Sequence, residues 1–276
     1  VVRNPRRVPG LRERGVELRQ ADLGDCKSLT AGFHGVDAVV SNAALFAVGK
    51  MLSIGPGNWK EHEETNVRGT RNVFDAIVSA GVKRVVQVSS VAVYAGGAPS
   101  LIDEDHPQLS KESWHTPFNA YQISKALSEQ LAWQLAQQNN IELTTVRPCA
   151  IYGAFDPNFT VWAKRLLALP ITVFPSRLHL PLVYGGDVAE GIALALEKPV
   201  SVGRAYNLTG DDRSIWEFLE AWREAGGRCA AWSLPVPVPY AQRLDHSRAT
   251  HDLGWRNRPF VDALRETFAL EANAGI

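Results

Sequence analysis

The sequence predicts an α/β fold: a parallel sheet flanked by helices, followed by a smaller mixed lobe at the C-terminal end. Three observations carry this. Over the first two-thirds of the 276 residues, short apolar runs alternate with longer segments of helical periodicity, the pattern of strand–helix–strand units. The runs are continuous, as in Ala38-Val39-Val40 and Val85-Val86-Gln87-Val88, and Val85, Val86 and Val88 are expected to be buried. After residue 150, Pro157, Pro170, Pro175 and Pro181 cut the chain into shorter pieces.

Taken in order, Val16–Arg19 is a short strand candidate and Val36–Ser41 the next. Thr65–Ala80 is predicted helical, because Val67, Val73, Phe74, Ile77 and Val78 recur at helical spacing and Gly81 stops the run. Val82–Ser90 is a strand and Asn119–Gln138 a long helix. Ile141–Val146 is the following strand, ended by Arg147-Pro148. Beyond it lie a helix over Val188–Leu196, a short strand over Arg204–Leu208, a helix over Ser214–Ala225, and a stiff extended stretch set by Pro235, Pro237 and Pro239. Residues 1–150 are read as one domain. Residues 151–276 are read mostly as a substrate-side lobe, some of whose segments return to the first domain.

Composition excludes several classes. At roughly 150 residues per domain the chain holds fewer than two. Hydrophobic residues are 45% and charged residues 21%, and 29 Lys plus Arg balance 29 Asp plus Glu. This is a globular composition, and a chain without net charge gives no support for a nucleic-acid or membrane-surface partner. The local excess of Arg3, Arg6, Arg7, Arg12, Arg14 and Arg19 is either a solvated surface or a phosphate contact. Cys26, Cys149 and Cys229 are too scattered for a disulfide framework or a metal site. A reducing, cytoplasmic setting is expected. No apolar run is long enough for a membrane span, and no signal pattern opens the chain.

The chemistry-bearing pair is Tyr121 and Lys125, four apart on the predicted helix, so that both side chains leave one face. A free phenol titrates near 10, and an adjacent ammonium is expected to lower that value toward neutrality, making Tyr121 a proton carrier. The spacing alone also describes an ordinary surface pair. Ser90 adds weight: it ends the apolar strand that contains Val85, Val86 and Val88, and the carboxyl end of a strand is where open α/β sheets bind ligands. Ser89 is read as a strand-ending residue.

With these residues in place, the chain resembles the short-chain dehydrogenase/reductase superfamily, in its extended branch of epimerases, dehydratases and reductases. The similarity is carried by Asp22-Leu23, Asn42-Ala43-Ala44, Thr65-Asn66-Val67-Arg68-Gly69-Thr70, Ser89-Ser90-Val91-Ala92-Val93-Tyr94, Tyr121-Gln122-Ile123-Ser124-Lys125, and Arg147-Pro148 with Tyr152-Gly153. Asp187, Asn207-Leu208-Thr209-Gly210 and Asp245 with Leu253-Gly254-Trp255 follow in the family's order. The resemblance implies a Rossmann-type doubly wound sheet and bound NADP or NAD. It implies Tyr121 as acid/base, Lys125 as its tuner and the ligand of the nicotinamide ribose, and Ser90 as the group polarising the substrate oxygen. It places Asp22 and Leu23 beside the adenine; Asn42, Ala43, Ala44 and Ser89 along the cofactor; Asn66 behind the site, where it is equally read as a polar helix-start residue bonding backbone; and Pro148 and Cys149 near the nicotinamide amide. Cys149 is otherwise a small buried hydrophobe.

Two departures stand out. The family's glycine-rich phosphate loop is not among these residues; the chain begins as if at the end of the second strand, so residues upstream of Val1 are expected. The stretch between Ala225-Gly226-Gly227 and Asp245 is also shorter than the family's. Arg3 falls where an acidic residue would bind the adenine ribose of NAD, and an arginine there suits the 2′-phosphate of NADP. Val91-Ala92 replace the acidic residues of the dehydratases, and Leu180-Pro181-Leu182 occupies the place of an epimerase arginine. With Phe155, Phe159, Trp162 and Phe174, this points to a hydrophobic ketone or secondary alcohol. A nucleotide-sugar epimerase and a non-catalytic dinucleotide sensor are the rivals. Leu127, Leu131 and Leu135 either pair across a homodimer axis or pack within one subunit.

Overall fold

The computed structural model describes residues 1–46, 59–95, 101–113, 120–210, 212–230, 232–240 and 243–274. The chain divides into two compact units. The first comprises Val1–Ala95, Pro107–Val146 and Ala195–Ala205; the second comprises Gly96–His106, Arg147–Leu194 and Tyr206–Ile276.

In the first unit, α1 (Cys26–Phe33) starts where the Asp25 carboxylate accepts the amides of Lys27 and Ser28 at 3.0 and 3.3 Å, an N-cap. Then come β1 (Ala38–Ser41), α2 (Gly69–Ala80), β2 (Arg84–Val88), α3 (Ala120–Asn139) and β3 (Glu142–Pro148). The three strands run parallel in the order β1–β2–β3, and Val39, Val85 and Leu143 fall in one register row. That row packs with Leu29 and Phe33 of α1, Val73, Phe74 and Ile77 of α2, and Ala132 and Leu135 of α3. Burying these apolar stripes is what fixes helices to sheet. α2 ends at Gly81, whose φ of 75° is the left-handed value a C-terminal glycine supplies.

Two expectations change. Val16–Arg19 forms no strand; one isolated parallel bridge joins Val2 to Gln20. Arg19 instead turns its guanidinium onto the carbonyls of Gly32 (3.1 Å) and His34 (2.7 Å) and onto Glu17. The helix expected from Thr65 begins earlier, as a turn at Trp59–His62, and passes through a π-helical stretch, Glu63–Arg68, before α2. The widened turn points Asn66 inward, where tertiary hydrogen bonds hold it, and such bulges recur at functional sites. Asn119, the expected first residue of the long helix, lies outside the described residues.

In the second unit, β4 (Ala150–Tyr152), α4 (Phe159–Leu167), β5 (Ile171–Tyr184), α5 (Gly185–Glu197), β6 (Ala205–Leu208), β7 (Asp212–Ser214), α6 (Ile215–Glu224), β8 (Trp232–Tyr240) and α7 (Phe260–Asn273) follow. β6, whose first residue belongs to the first unit, completes a four-stranded sheet ordered β1–β2–β3–β6. β5 is the hub of the rest, pairing with β4 and β8 in parallel and with β7 antiparallel. The proline-rich stretch is therefore a strand. Pro235 and Pro239 fall within the paired run, and an irregularity between Val236 and Pro239 shifts the register. α6 opens with a capping box between Ser214 and Glu217 and buries Phe218 and Trp222 against Phe260 and Leu264 of α7.

Gly210 sits against β5 with no room for a side chain: a Cβ there would lie 1.9 Å from the Leu182 carbonyl oxygen. Gly210→Ala is expected to destabilise the protein by about 2 kcal/mol or more, because backbone must shift. Urea denaturation checks this; an unchanged midpoint would show that the approach is not tight.

Candidate active site

Parallel strands bring their carboxyl ends to one edge, and the candidate residues gather there. Beyond β1, Asn42, Ala43 and Ala44 are exposed. Beyond β2 come buried Ser89 and half-buried Ser90, whose extended backbone (φ −163°, ψ 151°) sets its side chain to accept the Ala92 amide at 3.1 Å. α3 supplies Tyr121 and Lys125 from one face. The Ser90 hydroxyl lies close enough to the Tyr121 phenol to favour its ionised form. Lys125 is 4% exposed, and its Nζ donates to the Val88 carbonyl at 2.9 Å. Ser90, Tyr121 and Lys125 are thus brought together at the end of β2.

Asn66 ties the site to its surroundings. Its Oδ1 accepts the Leu45 amide at 2.7 Å, and its Nδ2 donates to the Leu45 carbonyl at 3.2 Å and to Ser124 Oγ at 2.9 Å. Ser124 in turn donates to the Tyr121 carbonyl at 2.8 Å. One amide therefore clamps the loop after β1 to the first turn of α3. The Phe46 ring meets the Tyr121 ring edge-on with centroids 4.8 Å apart, and His62 lies 6.3 Å away at a similar tilt.

The electrostatics differ from the expectation. Burial pushes the Tyr121 phenol above its ordinary value, with the Ser90 hydroxyl opposing it; Lys125 is not the controlling influence on the free chain. Burial also brings Lys125 down to about 8, against the opposing pull of the Glu129 carboxylate. Dry surroundings thus favour the neutral form of both groups, so Tyr121 on its own is a proton donor in waiting. Burial pushes the Cys149 thiol up to about 12, which makes it a packed hydrophobe and not a nucleophile.

The residues fit a dinucleotide. An ammonium has three N–H donors; Lys125 uses one on Val88, and no acceptor for the other two is present among the described residues. Ser89 Oγ is buried without a hydrogen-bond partner. Both suit a hydroxyl-rich ligand lying along the carboxyl edge. Parallel pairing of Val2 with Gln20 puts Arg3 and Asp22 at the same end of adjacent segments. Arg3 lines a cavity of about 920 Å³ with Asn4, Arg6, Arg7 and Arg12. The Asp22 carboxylate is engaged locally, accepting the Gly24 amide at 2.8 Å. Leu23 packs at the margin of the first unit's core, and its carbonyl accepts from Asn72 at 2.7 Å. Pro148 and Cys149 are buried in the second unit at the carboxyl end of β3.

Several residues of note were not singled out from the sequence. Phe46 and His62 reach Tyr121 from distant segments and carry no local signal. Glu129 did carry one: it continues the four-residue spacing of Tyr121 and Lys125. Leu135, expected at either a dimer face or the core, is buried in the first unit's own core, with Leu131 packed against it. No helix among the described residues is long and apolar enough to cross a membrane.

The profile of the NAD dependent epimerase/dehydratase family matches residues 1–209. A UDP-glucose 4-epimerase of Bacillus subtilis is 27% identical over 90% of this chain and 79% of its own length. A 4-hydroxy-2-methyl-3-oxo-4-farnesyl-3,4-dihydroquinoline-1-oxide ketoreductase of Stigmatella aurantiaca is 33% identical over 73% of this chain, which covers 57% of that protein. Among solved structures, a UDP-glucose-4-epimerase of Stenotrophomonas maltophila, with bound NAD and formylated UDP-arabinopyranose, superposes with a TM-score of 0.77. It is 23% identical, over 93% of this chain and 82% of that one.

A lysine that titrates at about 8 in the folded chain and near 10.4 unfolded binds its proton more weakly when native. Stability contributed by this group therefore rises with pH between those two values. The depression corresponds to roughly 3 kcal/mol at most. Thermal unfolding from pH 7.5 to 10 is expected to show this rise in wild type and lose it in Lys125→Met; identical slopes would contradict burial of the ammonium.

Proposed function

The chain belongs to the NAD dependent epimerase/dehydratase family, and on that premise we propose that it is an NAD(P)-dependent ketone reductase or secondary-alcohol dehydrogenase with a hydrophobic substrate. The observation that carries this reading is the gathering of Ser90, Tyr121 and Lys125 at the carboxyl end of β2, where the Lys125 ammonium donates to the Val88 carbonyl. When bound, the nicotinamide cofactor supplies or takes the hydride. Ser90 orients the substrate oxygen, and Tyr121 passes it a proton or removes one. In the reducing direction Tyr121 starts as the phenol and gives up its proton; in the oxidising direction it must lose that proton first. Lys125 offers its two remaining N–H donors to the cofactor's ribose, and its charge supports the phenolate that proton transfer leaves on Tyr121.

The arginine-lined cavity at Arg3, Arg6, Arg7 and Arg12 supports NADP, since guanidinium groups bind phosphate by paired charge-assisted hydrogen bonds. The second unit is proposed to bind the substrate. There Phe155 is 59% exposed and Trp162 60% exposed, and Phe155 holds a left-handed φ of 65°, strained for an aromatic residue. Phe174 and Phe159 belong instead to that unit's core. A sugar-nucleotide epimerase is the second reading, favoured by similarity to the Bacillus protein along 90% of the chain. Assays with NADPH and hydrophobic ketones, set against assays with UDP-sugars, separate the two. Tight dinucleotide binding without turnover of either would favour a non-catalytic sensor.

Tyr121→Phe is expected to lower kcat by about 10²–10⁴-fold while leaving dinucleotide affinity close to wild type; undiminished turnover would retire the mechanism. Arg3→Asp is expected to shift kcat/KM from NADPH toward NADH by about tenfold or more, and an unchanged ratio would make Arg3 a surface residue only. In wild type, kcat/KM for reduction is expected to decline as pH rises through about 8, where Lys125 loses its charge; a profile flat to pH 10 would contradict this.

A further inference from the structure

We propose that the outward face of the β5–β8 ribbon, in the second unit, is a self-association surface. A second copy of this chain packs its own ribbon against it, sheet face to sheet face, across a two-fold axis.

β5 and β8 run parallel, with Ile171 opposite Trp232, Val173 opposite Leu234 and Pro175 opposite Val236. Side chains alternate along a strand, and residues in register on neighbouring strands point the same way. On β5 the inward positions are Thr172, 1% exposed, and Phe174, 6% exposed; Phe174 packs in the unit's core. Ile171 and Val173 therefore point outward, and so do Trp232, Leu234 and Val236 across from that row. Trp232 is 71% exposed, and Ile171, Val173 and Leu234 are each more than half exposed. A sheet with one face in water alternates apolar-in with polar-out. These five positions are apolar and outward, which is the pattern of strands covered on both faces.

The patch extends past the start of the ribbon. The Trp232 amide donates to the Pro170 carbonyl at 3.2 Å, and Thr172 Oγ1 donates to the Leu166 carbonyl at 3.1 Å. The end of α4 and the turn into β5 thus border Trp232, and Leu166 and Leu169 are exposed there. The five face residues and these two leave on the order of 700 Å² uncovered, above the roughly 300–600 Å² of the largest patch on a typical monomer and near the ~800 Å² each partner gives to a standard interface.

Charge selects the occupant. None of the seven side chains ionises, and the chain as a whole has no net charge. An anionic lipid surface is held by Lys and Arg clustered beside an apolar face, and a nucleic acid by phosphate contacts; the patch itself offers neither. An identical uncharged face meets it without desolvating a charge, and under two-fold rotation a face is its own partner. Two sheets stacked in this way lie about 10 Å apart with strand directions within about 30° of each other. Trp232 sits between the α4 end and the rest of the ribbon, the central place where an aromatic anchor contributes most to binding.

Sedimentation equilibrium of the full chain over about 1 to 100 µM tests this. Wild type is expected to dimerise within that range. Trp232→Glu and Leu234→Lys are each expected to raise the dissociation constant about tenfold or more, with far-UV circular dichroism unchanged, because both side chains are exposed in the single chain. Should either charge prevent folding, Ile171→Thr/Val173→Thr keeps β-branched residues in β5 and is expected to weaken the dimer in the same direction. A wild type that stays monomeric at the upper concentration would overturn the proposal, and so would a dimer that survives these substitutions. A monomeric wild type that pellets with phosphatidylcholine/phosphatidylserine vesicles, while Trp232→Glu does not, would overturn it in favour of a lipid surface.

Discussion

An ammonium ion held in dry surroundings under the end of a strand is the constraint on which the rest of the site depends. Lys125 is placed there by α3, which packs its apolar residues against β2 and β3 and so carries a polar stripe into the same layer. The charge is tolerated because the Val88 carbonyl accepts its hydrogen bond. A shift in the register of α3 by one residue would turn this stripe toward apolar neighbours and break that contact. Helix packing and site chemistry are therefore the same requirement.

The surrounding scaffold holds that geometry from the other side. The π-helical stretch before α2 delivers Asn66 to a point where one amide fixes both the loop after β1 and the start of α3. Tyr121 then meets Ser90 without a long flexible connection on either partner. The second unit has its own stiffening. Asp187, buried at the start of α5, accepts from the Arg258 side chain at 2.6 Å and from the Arg258 amide at 3.0 Å. The Arg258 guanidinium lies 4.7 Å from the Tyr184 ring centroid.

Much of the fold and part of the site were legible from the residues alone, and the boundary has a physical meaning. The continuous runs at Val39–Val40 and Val85–Val88 announced parallel strands, of which β2 is buried while Val40 of β1 is exposed, and Gly81 marked the end of α2, because both are local signals. Ser90, Tyr121 and Lys125 were legible through spacing and strand position. Val16–Arg19 misled because a short apolar run makes a strand only where a partner edge is free, and Arg19 is drawn onto the carbonyls of Gly32 and His34 instead. The π-turn at Glu63–Arg68 was hidden because the hydrogen bonds of Asn66 that favour it reach residues remote in sequence. The direction of the Tyr121 shift was hidden for a similar reason: neighbouring charge can be read from spacing, whereas burial is a property of the packed chain. Glu129 reads as a surface glutamate until Gln108, Trp133 and Thr145 are seen to converge on it.

Burial holds the Tyr121 phenol above its ordinary titration range in the free chain, and it becomes ionisable near neutral pH only when positive charge is gathered beside it. Titration of tyrosine labelled with ¹³C at Cζ, assigned by the loss of one resonance in Tyr121→Phe, measures this directly. Tyr121 is predicted to titrate above about 10 in the free protein and to move to lower pH on saturation with oxidised dinucleotide. A midpoint at or below the ordinary value without ligand, or one indifferent to the dinucleotide, would contradict it.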